Sequence, residues 1–182
     1  MTTTELSPTS TLEELESVYP GARRALFRNF HLGGCASCGY RHDETIAALC
    51  ARSGGIDPLE MLARVREGHE ADQRMTVEPT DLATELAEGG VRLLDIRSGD
   101  EYEAARIEGA HLFSQPLMQE ILATWPKETR LVIIDHRGER SLDAATYFAG
   151  HGFVHARCLR GGIDAWSREV DSSIPRYDLE PS

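Results

Sequence analysis

The stretch that decides the fold is "RLVIIDHRGERS", residues 130–141. Four consecutive apolar residues, 131–134, precede a short polar segment that contains Gly138, and a segment of helical composition follows. A continuous apolar run of this length is typical of a strand that is buried on both faces, as in a parallel sheet. The pattern therefore predicts a strand, a tight loop and a helix, with Asp135 at the carboxyl end of the strand.

The loop after this strand is the first candidate site. In an open parallel sheet, ligands bind beyond the carboxyl ends of the strands. Gly138 lets the backbone turn sharply, and successive N–H groups at the start of the next helix can form an anion-binding nest. We expect a protein partner or a small anion to bind at this loop, which comprises Asp135, His136, Arg137, Gly138, Glu139 and Arg140.

Strands and helices alternate on both sides of this stretch. Further strands are predicted for "VRLLDIR" (91–97), "GAHLF" (109–113) and "FVHARCL" (153–159). Helices are predicted for "PLMQEILATW" (116–125), "RSLDAATYFAG" (140–150) and "GIDAWSRE" (162–169). Such alternation favours the α/β class, with a mainly parallel sheet covered by helices on both faces.

The amino-terminal block has a helical pattern instead. Helix starts are predicted from the capping box of Thr11 and Glu14, from Pro20 as a first helical residue, and from Asp43 and Asp57 as caps. The apolar residues on the third and fourth of these helices are Ile46, Leu49, Cys50, Leu59, Leu62 and Val65. We predict a disordered lead (1–10), an all-α domain (11–67), a polar linker (68–75), an α/β domain (76–175) and a tail (176–182).

The α/β block resembles the rhodanese-like, or sulfurtransferase, family. The stretches that carry the resemblance are "LLDIRSGDEYEAARIEGAHLF" and "LVIIDHRGERSLDAATYFAGHGFVHARCLRGGIDAW". The resemblance implies a five-stranded parallel sheet flanked by helices, supporting roles for Asp95 and Arg97, and a catalytic cysteine at the position of Asp135. Ala105 and Arg106 also depart from the family pattern, which has Gly-His there.

A carboxylate cannot take over the work of a persulfide-forming thiolate, because sulfur exchange proceeds through a thiolate. We therefore expect no conventional thiosulfate sulfurtransferase activity from this loop. Three roles remain open for Asp135: capping the N–H groups of its own loop and pairing with Arg140, helping to bind a small ligand or a partner peptide, or acting as a nucleophile in phosphoryl transfer. The spacing to Arg140 is shorter than in phosphatase loops. His136 could be a proton carrier, but a solvated polar residue is the more usual interpretation.

A second candidate site is the cysteine loop of the helical block, "HLGGCASCGY" (31–40). Cys35 and Cys38 could form a reversible disulfide, carry a persulfide or bind one metal ion. With Cys50 and His31 they would make a Cys₃His set, which suits zinc, and cysteines can also hold an iron–sulfur cluster. Two exposed thiols above a core cysteine are the remaining interpretation.

The helical block also resembles small Cys-x-x-Cys domains that are associated with hybrid-cluster proteins and iron–sulfur repair factors. The resemblance rests on "LESVYPGARRALFRNFHLGGCASCGYRHDETIAALCARSGGID" (residues 15–57), with its Tyr-Pro pair, its Gly-Cys-x-x-Cys loop and its Glu-Thr pair. It implies thiol redox or iron–sulfur chemistry at Cys35 and Cys38.

Composition limits the partners. With 19 basic and 30 acidic residues the net charge is −11, which argues against nucleic acid or an anionic membrane surface as a partner. No apolar run is long enough to span a membrane and no signal peptide is recognised, so a cytoplasmic location is expected. The sequence favours a sulfur-handling or thiol-redox protein, and the alternative is a non-enzymatic binding or regulatory module with a zinc or iron–sulfur site.

Overall fold

The structure is a computed structural model that describes residues 6–33 and 39–177. The chain divides into two compact units between Gln73 and Arg74, inside the stretch for which a linker is predicted. Cys35 and Cys38 lie outside the described residues. So do residues 1–5 of the predicted lead and residues 178–182 of the predicted tail. Within the described ranges, no helix is both long enough and apolar enough to cross a membrane.

The described residues of the first unit form four helices: α1 (Leu12–Val18), α2 (Ala22–Phe30), α3 (Ile46–Arg52) and α4 (Pro58–Arg74). Their apolar faces meet in one core that includes Leu15, Leu26, Ile46, Leu49 and Met61. The prediction of a disordered lead is wrong for residues 6–10. The carbonyl of Pro8 accepts a hydrogen bond from the N–H of Ala47, and that of Ser10 accepts one from the N–H of Ile46.

Two of the predicted helix starts are confirmed in the first unit. Thr11 and Glu14 form a reciprocal capping box, and the Asp57 carboxylate accepts a hydrogen bond from the N–H of Leu59 at 2.9 Å. The predicted burial of Leu59 is wrong, since this side chain is 63% exposed and Met61 takes the core position.

The other two predicted starts are wrong by two residues each. Helix α2 begins at Ala22 after a turn over Pro20 and Gly21, and α3 is capped by Thr45 and not by Asp43. The Thr45 hydroxyl accepts from the N–H of Ala48 at 3.2 Å, whereas Asp43 forms an ion pair with Arg41.

The polar linker predicted for 68–75 is also wrong, because α4 continues to Arg74. The last buried apolar residue of this helix is Val65, so its final turns have no apolar periodicity that a sequence could reveal. The end of the helix is held by an ion pair between Asp72 and Arg24 at 3.1 Å.

The second unit is a five-stranded, fully parallel sheet with helices on both faces, which confirms the predicted fold class. Its strands, in the spatial order β1-β5-β4-β2-β3, are β1 (Thr76–Val77), β2 (Val91–Asp95), β3 (Ala110–Leu112), β4 (Arg130–Ile134) and β5 (Arg157–Leu159). Its helices are α5 (Pro79–Glu88), α6 (Gly99–Ala104), α7 (Gln115–Thr124), α8 (Arg140–Gly150) and α9 (Gly162–Glu169).

Alternate side chains of the central strand β4 enter two separate cores. Leu131 and Ile133 pack with Phe148 of α8, whereas Val132 and Ile134 pack with Trp166 of α9. All four residues of the 131–134 run are fully buried, which explains its continuous apolar character. Asp95 and Asp135 therefore come to the carboxyl edge of neighbouring strands, since Asp95 is paired in register with Ile134.

Candidate functional site

The side chain of Asp135 is enclosed by its own loop. It is 3% exposed, and Oδ1 accepts hydrogen bonds from the N–H of Gly138 at 2.6 Å and from the hydroxyl of Ser141 at 2.8 Å. Oδ2 accepts from the N–H of Arg140 at 2.8 Å. The carboxylate thus occupies the donors at the start of α8, where Glu139 in the N-cap position makes no side-chain cap. These three donors are therefore not free to bond to an external anion.

The expected pairing of Asp135 with Arg140 is made by the backbone and not by an ion pair. The guanidinium Nη2 of Arg140 donates instead to the carbonyl of Ile96, at 3.5 Å, and the Arg140 residue is exposed. This contact is long, so it restrains the guanidinium only weakly.

The start of α9 is hydrogen-bonded to the backbone of this loop. The N–H of Ile163 donates to the carbonyl of Asp135 at 2.9 Å, and that of Asp164 donates to the carbonyl of His136 at 3.2 Å. This approach requires glycine at position 162, where φ is +58° and a Cβ atom would overlap the carbonyls of Asp135 and His136. Gly138 is constrained in the same way, with φ at +89° and the backbone of Gly161 2.8 Å from the place of a Cβ.

His136 is buried and not solvated as the sequence suggests. The residue is 7% exposed, and neither Nδ1 nor Nε2 has a hydrogen-bond partner. Its ring lies against the ring of Tyr177, with centroids 4.6 Å apart. The reason for the burial is long-range, because Tyr177 is 41 positions further along the chain. A local sequence pattern could not reveal it.

Asp95 and Arg97 form a buried ion pair beside this loop. Arg97 Nη2 lies 2.6 Å from Asp95 Oδ2, and both side chains are almost fully buried. Burial alone would lower the pKa of the Arg97 guanidinium, but its hydrogen bonds to Asp95 and Tyr177 outweigh this and raise the pKa. Arg97 also donates to the carbonyl of Ala105, so the pair fixes the segment that follows β2.

Tyr177 is a site residue that lies in the predicted tail (176–182). Its hydroxyl accepts from Arg97 Nη1 at 2.8 Å and donates to Glu101 Oε1 at 2.8 Å. Burial and the Glu101 carboxylate raise the pKa of this phenol, although Arg97 acts in the opposite direction. For Glu101, burial would raise the pKa, but hydrogen bonds from Ser98 and Tyr177 hold it below its ordinary value.

These groups surround a cavity of about 240 Å³ at the carboxyl edge of the sheet. Its lining residues are Arg97, Glu101, Asp135, His136, Arg137, Glu139 and Arg140. The structure thereby brings together the predicted loop and one of the two predicted supporting residues, Arg97. The other, Asp95, lies behind Arg97 as its ion-pair partner.

The thiols that the structure describes are buried. Cys158 lies in β5 with its sulfur 3.6 Å from the Thr76 hydroxyl, and Cys50 lies in the helical core with its sulfur 3.6 Å from that of Met61. Burial, assisted by the charge of Asp57, raises the pKa of the Cys50 thiol. His31 ends α2 in an exposed, left-handed conformation.

The remaining members of the predicted metal set, Cys35 and Cys38, lie outside the described residues. Across residues 6–33 and 39–177, no group of three or more His, Cys, Asp or Glu side chains is arranged to hold a metal ion.

Comparisons with known proteins find similar sequences, similar solved structures and a matching family model. The chain is 31% identical over 111 residues to "Probable adenylyltransferase/sulfurtransferase MoeZ" of Mycobacterium tuberculosis, covering 59% of this chain but only 28% of that protein. It is 30% identical over 84 residues to the thiosulfate sulfurtransferase GlpE of Pseudomonas paraeruginosa, covering 46% of this chain and 76% of GlpE.

A solved structure, the rhodanese-like domain of an Anabaena sp. protein, aligns with 59% of this chain and 89% of its own length at a TM-score of 0.48 and 20% identity. The sequence model of the Rhodanese-like domain matches residues 78–169, just over half of the 182-residue chain. By this match, the chain belongs to the rhodanese-like family.

Proposed function

We propose that this chain is a sulfur-handling or thiol-redox protein in which Cys35 and Cys38 carry the chemistry and the rhodanese-like domain recognises a partner or a small anion. Family membership supports the sulfur-handling part, and two relatives carry sulfurtransferase in their names. The division of labour between the two units rests on the residues of this chain.

The proposal depends on one observation, the hydrogen bonding of the buried Asp135 carboxylate to its own loop. Asp135 stands where the family pattern has its catalytic cysteine, and its two oxygens accept three hydrogen bonds from the loop and from α8. A carboxylate cannot accept a sulfane sulfur by thiol–disulfide exchange, which requires a thiolate. The loop is thus a closed structural element and supplies no nucleophilic sulfur.

The other cysteines favour the same assignment. Cys158 and Cys50 are each 1% exposed, and the raised pKa of Cys50 keeps it in the unreactive thiol form. Cys35 and Cys38 are flanked by Gly33, Gly34 and Gly39, which permit a tight turn between two thiols.

The proposed chemistry is a two-thiol exchange. One thiolate attacks the outer (sulfane) sulfur of a persulfide donor or of thiosulfate, and the remainder of the donor leaves as a thiolate or as sulfite, respectively. The second thiolate then displaces the carried sulfur as hydrosulfide, which closes a Cys35–Cys38 disulfide. An external dithiol must reduce this disulfide before the next cycle.

The test uses the full chain, purified without oxygen and exposed to thiosulfate or inorganic polysulfide. Mass spectrometry of alkylated protein should show one added sulfur atom or an internal disulfide on the peptide that carries Cys35 and Cys38. Cys35→Ser and Cys38→Ser should each abolish the disulfide, whereas the matched control Cys158→Ala should retain it. The proposal is wrong if the pair neither carries sulfur nor oxidises reversibly.

The same preparation tests the binding-module alternative. Elemental analysis and an absorption spectrum would then show zinc or an iron–sulfur chromophore that is lost in Cys35→Ser. If the protein binds a metal through these cysteines and transfers no sulfur, the thiol-redox proposal is wrong and the binding-module alternative is supported.

A further inference from the structure

His136 is the least satisfied polar group of the rhodanese-like site. Both of its ring nitrogens lack a hydrogen-bond partner, although the residue is 93% buried (7% exposed) and lines the cavity. Buried polar atoms in native proteins are nearly always paired, and an orphaned one costs on the order of 1–3 kcal/mol. A buried imidazole of this kind at the wall of a cavity indicates a partner that arrives from outside the chain.

Three donors of the loop are not free to bond to such a ligand. The N–H groups of Gly138 and Arg140 and the hydroxyl of Ser141 are already bonded to Asp135. Side-chain donors at the cavity include the imidazole of His136 and the weakly held guanidinium of Arg140. Recognition in this chain would thus depend on side chains.

A short segment at the carboxyl end of the described chain covers His136. We call Ile174–Tyr177 the strap. Ile174 is buried in the core beside Trp166, and its carbonyl accepts from the Ser167 hydroxyl at 2.6 Å. Arg176 Nε donates to Asp164 at 2.7 Å, and the strap ends with the ring of Tyr177 against the imidazole.

The two hydrogen bonds of the Tyr177 hydroxyl indicate which ligand group could replace it beside Arg97 and Glu101. It accepts a hydrogen bond from Arg97 Nη1 and donates one to Glu101 Oε1, both at 2.8 Å. A group that replaces it must likewise accept from a guanidinium and donate to a carboxylate. A fully deprotonated oxyanion can do only the first, and it would face the Glu101 carboxylate without a proton between them.

We propose that this cavity binds a small oxyanion that retains a proton, such as hydrogen phosphate or hydrogen sulfite, through His136, Arg97 and Arg140, and that the strap closes the site until Tyr177 is displaced. The anion accepts from a His136 N–H, from Arg97 Nη1 and from the Arg140 guanidinium, and its hydroxyl donates to Glu101. This inference rests on the recognition half of the proposed function and is independent of the cysteine chemistry.

Charge–charge terms are consistent with a protonated ligand. The cavity is lined by three arginines and three carboxylates, and the charge of Arg97 is also balanced by Asp95 in the buried ion pair, so the cavity has no excess of positive charge. Discrimination then depends on hydrogen bonds. A site that is built to bond a hydroxyl rejects an analogue that lacks it, because the group meant to accept the proton is left unpaired.

The experiment is calorimetric titration of the full chain with inorganic phosphate and with sulfate at pH 7. These ions are matched in size and shape, but only phosphate carries a proton. Tyr177→Ala should bind phosphate at least about fivefold more tightly than the parent chain, because no strap residue then competes. The matched control Tyr147→Ala removes a tyrosine that is 43% exposed and should leave phosphate binding unchanged.

Two further arms identify the residues and the ligand class. In the Tyr177→Ala background, His136→Ala should weaken phosphate binding about tenfold, as expected for loss of one hydrogen bond to a charged ligand. Sulfate should bind at least about tenfold more weakly than phosphate, while titration with sulfite tests whether a sulfur oxyanion is preferred. Equal affinity for sulfate and phosphate, or no effect of His136→Ala, would overturn the proposal.

A second readout covers the case in which Tyr177→Ala does not fold. Tyr177→Phe keeps the ring on His136 but removes both hydrogen bonds of the hydroxyl. It should raise the rate at which diethyl pyrocarbonate modifies His136, measured on the His136 peptide, above the rate in the parent chain. An unchanged rate would contradict the strap. Sulfur transfer by Cys35 and Cys38 is measured separately, so failure here leaves the proposed thiol chemistry standing.

Discussion

The hydroxyl of Ser141 donates a hydrogen bond to the Asp135 carboxylate at 2.8 Å, and both side chains are buried. Ser141 lies in the first turn of α8, so this contact joins the end of β4 to the start of the next helix. Together with the N–H groups of Gly138 and Arg140, it makes Asp135 the cap of α8. Asp135 is therefore expected to stabilise the second unit whether or not it also takes part in recognition.

Asp135→Asn should destabilise the second unit by roughly 1–3 kcal/mol. If the amide oxygen stays with Gly138 and Ser141, the amide NH₂ faces the N–H of Arg140, and two buried donors oppose each other. Urea unfolding followed by tryptophan fluorescence measures this unit alone, because both tryptophans, Trp125 and Trp166, belong to it. The exposed carboxylate variant Glu108→Gln should leave the midpoint unchanged, and equal midpoints for the two variants would refute the capping role.

Asp135→Cys should gain thiosulfate cleavage, with thiocyanate formed from cyanide. The N–H groups that now hold the carboxylate would surround a persulfide, and the positive end of α8 would lower the pKa of the new thiol. Asp135→Ser, similar in size but without sulfur, is the control and should show no turnover. A folded Asp135→Cys variant without turnover would mean that the site differs from a sulfurtransferase site in more than its nucleophile.

The sequence predicts the scaffold of this site well because local chemistry determines it. The continuous apolar run 131–134 reflects a strand that is buried on both faces, and Gly138 adopts the positive φ that the loop requires. Asp95 and Asp135 are brought to one sheet edge by the parallel register alone. The strand β1, only two residues long, and the helices α5 and α6 are not predicted. The capping box of Ser98 and Glu101 at the start of α6 is a signal that could have revealed that helix.

The features that are not predictable from the sequence depend on contacts between distant residues. His136 is buried because α9 and the strap pack on its loop, and neither is recognisable from the residues next to it. The predicted cap of α3, Asp43, is wrong for a related reason. Asp43 and Thr45 are both good caps, and the start at Thr45 is the one that places Ile46 and Leu49 in the core. Packing decides between two locally acceptable starts.

Gly162→Ala should destabilise the second unit by more than Gly109→Ala does. Both glycines have positive φ, +58° and +78°, so each alanine variant carries a backbone strain of about 1–2 kcal/mol. Only at Gly162 would the added Cβ also overlap the carbonyls of Asp135 and His136, whereas Gly109 has nothing within 4 Å.

The clash should add roughly 1–3 kcal/mol to the cost of Gly162→Ala. The difference between the two urea midpoints isolates this clash from the shared strain. If the midpoints agree within error, the contact between α9 and the loop is looser than the structure has it.

Glu85 should make the second unit sensitive to acid. Its carboxylate bonds to the guanidinium groups of Arg157, at 2.6 and 2.9 Å, and of Arg130, at 2.5 Å, which lowers the pKa of Glu85 from 4.5 to about 2. A carboxyl with a lowered pKa in the folded state contributes stability that is complete above the unfolded pKa, near 4.5. This contribution is lost as the pH falls from there to about 2.

The full difference in pKa corresponds to roughly 3 kcal/mol, which exposure of Arg130 to solvent reduces to about 1–2 kcal/mol. Glu85→Gln should therefore lower the free energy of unfolding by about this amount at pH 7, where Arg130 and Arg157 lose their common counter-ion. The deficit relative to the parent chain should shrink steadily between pH 4.5 and pH 2, because protonated Glu85 resembles glutamine. Paired urea titrations at several pH values measure this, with the exposed Glu108→Gln as a control that shows no such trend. A deficit that is independent of pH would place the contribution of Glu85 in packing and not in its charge.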